Sequence, residues 1–328
     1  MSRLALILLS LALISGLFLG CARSSPKVAM ILGAGGLENS DFNKGNLLGA
    51  EKAAKELGIK LDYVLPQASM EFESLQRQYA TGGEYKLIIC VGSTQTEALA
   101  RVADSFPRQR FALIDSSLEG KPNVASYLFR DAESSFLAGA LAAMVTRTNQ
   151  IGFTGGMDIP VIQGFLGGYQ AGAKYINPRC QVLVSYVDSW SDPAKAKALA
   201  FIQYDQGADV IFGVAGGSSL GVIEAAKERG QYAIGVDGDQ RYLAPDNVLV
   251  SVLKNVEVAA YSAIRQNFQG NFSQGTHSLG LKENGIGLSL DNSLPLVTEE
   301  MKDKILEISK KIITGEIEVS FLLPTRSE

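Results

Sequence analysis

Short apolar runs rich in β-branched residues recur along this chain, and between them the apolar positions fall into a spacing of three or four. The runs are 27–33 (KVAMILG), 60–66 (KLDYVLP), 86–92 (KLIICVG), 110–115 (RFALID), 123–129 (NVASYLF), 150–155 (QIGFTG), 180–187 (CQVLVSYV), 208–215 (ADVIFGVA), 232–237 (YAIGVD), 247–253 (NVLVSVL) and 285–290 (GIGLSL). Unbroken apolar runs that alternate with helical patterns predict an α/β fold, with parallel strands buried on both faces beneath covering helices. Leu47, Ala50, Ala54 and Leu57 mark one helical stripe, and Val222, Ala225 and Ala226 another.

The stretch 151–178 shows the repeating unit most plainly. An apolar strand breaks at Gly155-Gly156 and resumes as a glycine-spaced helix carrying Phe165, Tyr169 and Tyr175. Gly164, Gly167, Gly168 and Gly172 read as letting that helix lie close on a sheet. The backbone bared at Gly155, Gly156, Met157 and Asp158, at the mouth of the helix, reads as a place that a small ligand can approach.

In doubly wound sheets ligands bind beyond the carboxyl ends of the strands. Those ends here are 39–43 (NSDFN), 92–94 (GST), Asp115-Ser116, 155–158 (GGMD), 188–190 (DSW), 215–218 (AGGS), 237–239 (DGD) and Lys254. One lysine among several acids, with small and aromatic neighbours, suits a hydroxylated ring compound better than a bare phosphate.

Two glycine motifs point elsewhere at first sight. The run 33–36 (GAGG) lacks the third glycine of a dinucleotide loop, and the helix after it begins only near Asp41 or Phe42. The turn at Gly92-Ser93-Thr94 has no P-loop lysine and reads as a helix cap at Ser93 or Thr94. With a single histidine, His277, and no CxxC pair, the chain offers no material for a zinc site or a His-based triad. No nucleophile-base pair is visible, and no histidine lies at a strand end. No catalytic residue, metal ligand or cofactor is therefore assigned, and an enzyme is the weaker reading. Cys90 and Cys180 read as buried free thiols in two strands, with a bridge between them as the alternative that export would allow.

The first 20 residues carry one charge, Arg3, before an apolar run too short to span a membrane, which reads as an export signal. Its ending, Phe18-Leu19-Gly20-Cys21, resembles a bacterial lipobox, so Cys21 is the expected site of lipidation, with 21–26 as a tether. After removal of that signal, with its one arginine, the formal net charge is −5, and nothing in it recruits nucleic acid or an anionic membrane surface. The length exceeds what one hydrophobic core usually serves, so two lobes are expected.

The chain resembles the basic membrane protein family of substrate-binding lipoproteins, close to the purine nucleoside receptors of ABC importers. The likeness lies in SDFNKG (40–45), FALIDSS (111–117), RDAESSFLAGALAA (130–143), IGFTGGMDIPVIQGFLGGYQAGA (151–173), SWSDPAKAKALA (189–200), GADVIFGVAGGSSLGV (207–222), AIGVDGDQ (233–240) and SVLKNV (251–256). It implies a type I periplasmic binding protein: two doubly wound parallel-sheet lobes joined by three crossing strands. The lobes would be 27–129 plus 255–280 and 130–254 plus 281–328, with hinges near 126–130, 252–255 and 279–283.

The resemblance also implies the site. Phe42 and Trp190 would hold a purine between their faces, and Asp115 would accept hydrogen bonds from it. Asp237 and Lys254 would bind the ribose, alongside the backbone of Gly213, Gly216 and Gly217. Asn43 matches the family pattern, whereas Asn39, Asp41 and Lys44 depart from it and leave the preferred base open. The implied protein is a monomer, lipid-anchored on the extracytoplasmic side of the membrane, that delivers a nucleoside to a permease and its ATPase. A sensor that docks its closed state on a membrane receptor would carry the same residues.

Overall fold

The structure is a computed structural model that describes residues 25–34, 36, 37 and 41–319; the signal-like segment, Cys21, Asn39 and Ser40 lie outside the described residues. Two six-stranded sheets each follow the doubly wound pattern. The first contains β1 (Lys27–Ile31), β2 (Lys60–Val64), β3 (Tyr85–Val91), β4 (Phe111–Ile114), β5 (Val124–Phe129) and β11 (Gly275–Leu279), ordered β11-β5-β4-β3-β1-β2 and parallel throughout. The second contains β6 (Gln150–Gly155), β7 (Gln181–Tyr186), β8 (Val210–Val214), β9 (Tyr232–Asp237), β10 (Val248–Lys254) and β12 (Ile286–Leu288), ordered β12-β10-β9-β8-β6-β7. Here the short edge strand β12 runs antiparallel to β10.

Nine helices cover these sheets among the described residues: α1 (Asp41–Leu57), α2 (Phe72–Ala80), α3 (Thr96–Ser105), α4 (Asp131–Val145), α5 (Pro160–Ile176), α6 (Pro193–Asp205), α7 (Ser219–Arg229), α8 (Val256–Phe268) and α9 (Glu299–Thr314). The central strands are buried on both faces, as in the burial of β3 from Leu87 to Val91 and of β8 throughout. That double burial is why they read as continuous apolar runs. None of the described helices is long and apolar enough to cross a membrane. Cys90, in β3, and Cys180, just before β7, are free and buried.

Three details depart from the sequence reading. Strand β11 (GTHSL) has no apolar run, because it is an edge strand whose residues are all at least partly exposed. Helix α1 buries Asn43, Asn46, Gly49, Ala50, Ala53 and Ala54, whereas Leu47 is half-buried and Leu57 exposed. Small residues face inward there because α8 lies directly on the helix: a Cβ on Gly49 would sit 2.1 Å from the carbonyl oxygen of Glu257. Likewise Gly168 and Gly172 of α5 lie against helix α4 rather than against a sheet. A Cβ at either would meet the carbonyl oxygen of Ala132 at 2.2 Å or of Phe136 at 1.9 Å. Gly164 and Gly167 face open space.

The chain crosses between the sheets three times, after β5, β10 and β11. The crossings after β5 and β11 are tied together by Arg130, whose guanidinium pairs with Glu133 and Glu283, both at 2.8 Å, and by Glu133, which accepts from the Leu281 amide at 2.9 Å; Asn255, after β10, joins them by donating its side-chain amide to the Asn284 carbonyl at 2.6 Å. Gly280 leaves room for that guanidinium, since a Cβ there would lie 2.2 Å from it.

Candidate functional site

The carboxyl ends of both sheets face one partly open cleft, lined by apolar, aromatic and charged side chains together, a mix that suits a small-molecule site. Two buried glutamines set the strand ends that frame it. Gln95 donates to the carbonyls of Ile31 and Val91 at 2.8 and 2.9 Å, joining β1 to β3 below the Gly92-Ser93-Thr94 turn. Gln203 donates to Phe153 of β6 at 3.0 Å.

Three aspartates at strand ends, Asp115, Asp188 and Asp237, have φ of 67°, 57° and 68°. L-residues rarely adopt this left-handed conformation, and aspartate tolerates it better than most. Each such turn ends its strand abruptly. At β4 and β9 the residue after the turn leads away while the carboxylate lines the cleft.

Lys254 ends β10 with its side chain buried. Its ammonium lies 2.6 Å from Asp115, of the other sheet, and 3.0 Å from Asp131, at the start of α4. Three rings surround the same ammonium, with centroids at 5.8 Å (Phe42), 5.2 Å (Phe129) and 5.1 Å (Phe165). Burial lowers the lysine pKa, but the attraction of Asp115, Asp131 and Asp237 outweighs it, so the ammonium holds its proton more tightly than usual. Burial drives the carboxylates the other way. It pushes Asp131 up to about 8 against the pull of Lys254, with Asp115 adding repulsion. Burial also raises Asp237 to about 7, again against Lys254 and with repulsion from Asp115 and Asp41. Asp115 shifts upward by burial, opposed by Lys254. Asp131 and Asp237 thus keep protons near neutrality that free carboxylates would have lost.

The walls are aromatic. Phe42 comes from the start of α1 and Trp190 from the loop after β7, so the two rings enter from opposite sheets. Trp190 lies flat on the chain at Gly156, where a Cβ would meet its ring at 2.4 Å, and a Cβ on Gly155 would meet the Tyr186 ring at 2.9 Å. The backbone that the sequence leaves bare at these glycines is therefore covered by two aromatic side chains, and its contribution is to seat Trp190. The loop carrying Trp190 is held by Ser218, whose hydroxyl donates to Ser189 O at 3.0 Å and accepts from Asp192 N at 2.8 Å. Asp192 in turn caps α6 through the Lys195 amide at 2.9 Å.

Of the residues singled out in the sequence, Phe42, Asn43, Asp115, Trp190, Gly216, Gly217, Asp237 and Lys254 line the cavity. Met157 and Gly213 do not. Met157 lies half-buried beyond the Trp190 seat, while Gly213 is inside β8, where a Cβ would press on Val222 of α7 at 3.2 Å. Asp158 is exposed, 2.5 Å from the Gln163 amide. The Asn43 amide is engaged with the loop after β1, bonding Gly33 and Gly36 at 2.9–3.0 Å, so it shapes the wall from behind. Ser93 and Thr94 line the cavity and make no side-chain cap.

Sequence reasoning missed Asp131, which reads as an ordinary acid in the first turn of a helix, and the apolar wall of Val161, Ile162 and Phe165 from α5. It also missed a contact across the cleft mouth, where the Gln240 amide donates to Asp41 at 3.0 Å. Among the described residues no cluster of three or more His, Cys, Asp or Glu is arranged to hold a metal ion.

With this geometry in hand, the likeness to known proteins is informative. The family described as ABC transporter substrate-binding protein PnrA-like matches residues 26–322. Basic membrane protein D of Borreliella burgdorferi is 34% identical over 91% of this chain and 89% of its own. The ABC transporter nucleoside-binding protein BmpA of Lactococcus lactis is 33% identical over 92% and 90%. A solved ABC transporter solute-binding protein from Aeropyrum pernix superposes with a TM-score of 0.83 at 33% identity, covering 92% of this chain and 94% of that one.

Proposed function

This chain belongs to the Bmp family of PnrA-like ABC transporter substrate-binding proteins, and from that premise we propose that it binds purine nucleosides between its lobes for delivery to a membrane permease. The observation that carries the reading is the cavity itself, in which Phe42 and Trp190 come from opposite lobes with Asp115, Asp237 and Lys254 between them. A relative of similar length is named for nucleoside binding.

In this reading the base stacks between the two rings, a contact that stabilises a base by about 1–3 kcal/mol per ring and tolerates any purine. Asp115 accepts from the edge of the base, so the base competes with Lys254 for that carboxylate. Asp131 keeps the ammonium paired while this exchange occurs. Asp237 accepts from the vicinal hydroxyls of the ribose, with the backbone of Gly216 and Gly217 alongside. The lobes are 27–129 plus 255–280 and 130–254 plus 281–328, and they close on the ligand about the three crossings. The protein binds without chemistry, is anchored outside the cytoplasm by a diacylglyceryl group on Cys21, and hands its ligand to a permease driven by an ATPase.

Native mass spectrometry of protein purified from cells tests the reading. A nucleoside mass should accompany the protein and leave on mild activation. Incubation with inosine should release no free base. Titrations with guanosine, inosine and adenosine that detect no binding would overturn the proposal.

A further inference from the structure

The end of the first lobe opposite the cleft carries a second, more open groove where the amino ends of β1, β3 and β4 meet the last turn of α8. Its lining includes Pro26, Lys86, Phe106, Arg108, Arg110 and Phe268, and none of its lining residues is acidic. Lys86, Arg108 and Arg110 are exposed. Arg110 is held in place by Asn267, to which it donates at 3.1 Å, and by the Phe272 ring at 5.0 Å. The acids nearby are already paired: Glu84 with Lys27 at 2.8 Å and Asp104 with Lys121 at 2.6 Å.

We infer that this pole is a docking face for an anionic phospholipid surface, an inference that rests on the anchor proposed at Cys21. Five residue steps separate Cys21 from Pro26, a reach of roughly 18 Å at full extension. A lipid on Cys21 therefore holds the groove within reach of the headgroups whatever path the tether takes. The protein as a whole is mildly acidic, with a formal net charge of −4, so its overall charge gives an anionic bilayer no attraction. The groove, with three basic and no acidic lining residues, is a face that such a bilayer attracts. Each basic residue near an anionic leaflet adds about a fivefold preference, and salt screens it.

The test uses the full lipidated protein reconstituted in phosphatidylcholine vesicles with or without phosphatidylglycerol. Flotation with the vesicles reads the anchor, and hydrogen exchange at 83–86 and 105–110 reads the face. Exchange there should slow at least tenfold in the anionic vesicles relative to the neutral ones, and the difference should vanish at high salt. The variant Lys86→Gln/Arg108→Gln, which leaves Arg110 and its packing intact, should reduce the docking equilibrium constant about 25-fold. Protein that floats with equal exchange in both vesicle types would overturn the docking face alone. Protein that does not float would overturn the anchor and the face together.

Discussion

The ammonium of Lys254, at the end of a strand in one sheet, stands 2.6 Å from the carboxylate of Asp115, at the end of a strand in the other. This pair joins the two lobes at the centre of the cavity, while Asp131 holds the same ammonium from the lysine's own lobe at 3.0 Å. Removing the lysine leaves buried carboxylates with no cation. Lys254→Met should therefore destabilise the empty protein by about 3–5 kcal/mol at pH 8. At pH 5 the loss should be smaller, because the carboxylates then hold protons. Urea unfolding at the two pH values measures both, and equal losses would contradict the electrostatic account.

Asp237 gives the site a pH dependence of defined sign. Its carboxyl has been pushed up to about 7, so at pH 6 most of it is protonated and at pH 8 most is ionised. A ribose hydroxyl donates to the ionised form, so ribonucleoside affinity should rise about tenfold from pH 6 to pH 8. Calorimetry on Asp237→Asn should give a flat profile, with 2′-deoxynucleosides and ribonucleosides bound alike. A native protein that binds guanosine and guanine equally would remove the ribose from Asp237.

The same shifts bear on the empty fold. Asp131 and Asp237 keep protons up to about pH 8 and 7 that the unfolded chain releases near 4. Their contribution to stability is full below about pH 4 and is lost as the pH rises through 7 and 8. Asp131→Asn should flatten the fall in unfolding free energy between pH 5 and pH 8.5.

Trp190 and its glycine seat can be separated by mutation. Trp190→Ala should weaken nucleoside binding by about 1–3 kcal/mol with little change in melting temperature, since the ring packs at the cleft surface. Gly156→Ala should reproduce much of that loss with the ring intact, because a Cβ at 2.4 Å forces the indole off its place. Tryptophan fluorescence, which reports Trp190 alone in this chain, should shift in the glycine variant.

Much of this was legible in the sequence because doubly buried strands are apolar without interruption and end in the residues that line the cleft. Asp115, Asp237 and Lys254 are each the residue at which such a run stops. What escaped notice has physical causes. Strand β11 pairs through its backbone at a sheet edge and needs no apolar signature. Asp131 acts through its distance from Lys254, 123 positions away, which no local pattern encodes. Gly155 and Gly156 signalled close approach correctly, but a sequence cannot say that the approaching groups are the protein's own rings.

Helices α4 and α5 touch backbone to backbone along Gly139, Gly168 and Gly172, with no side chain between them to yield. One begins at the crossing after β5, beside Arg130 and Asp131; the other presents Val161, Ile162 and Phe165 to the cavity. The pair behaves as a splint. If the lobes close as proposed, a tilt of the crossing should carry the apolar wall with it as one piece, so that a ligand would meet a moving plane rather than a set of independently adjusting side chains.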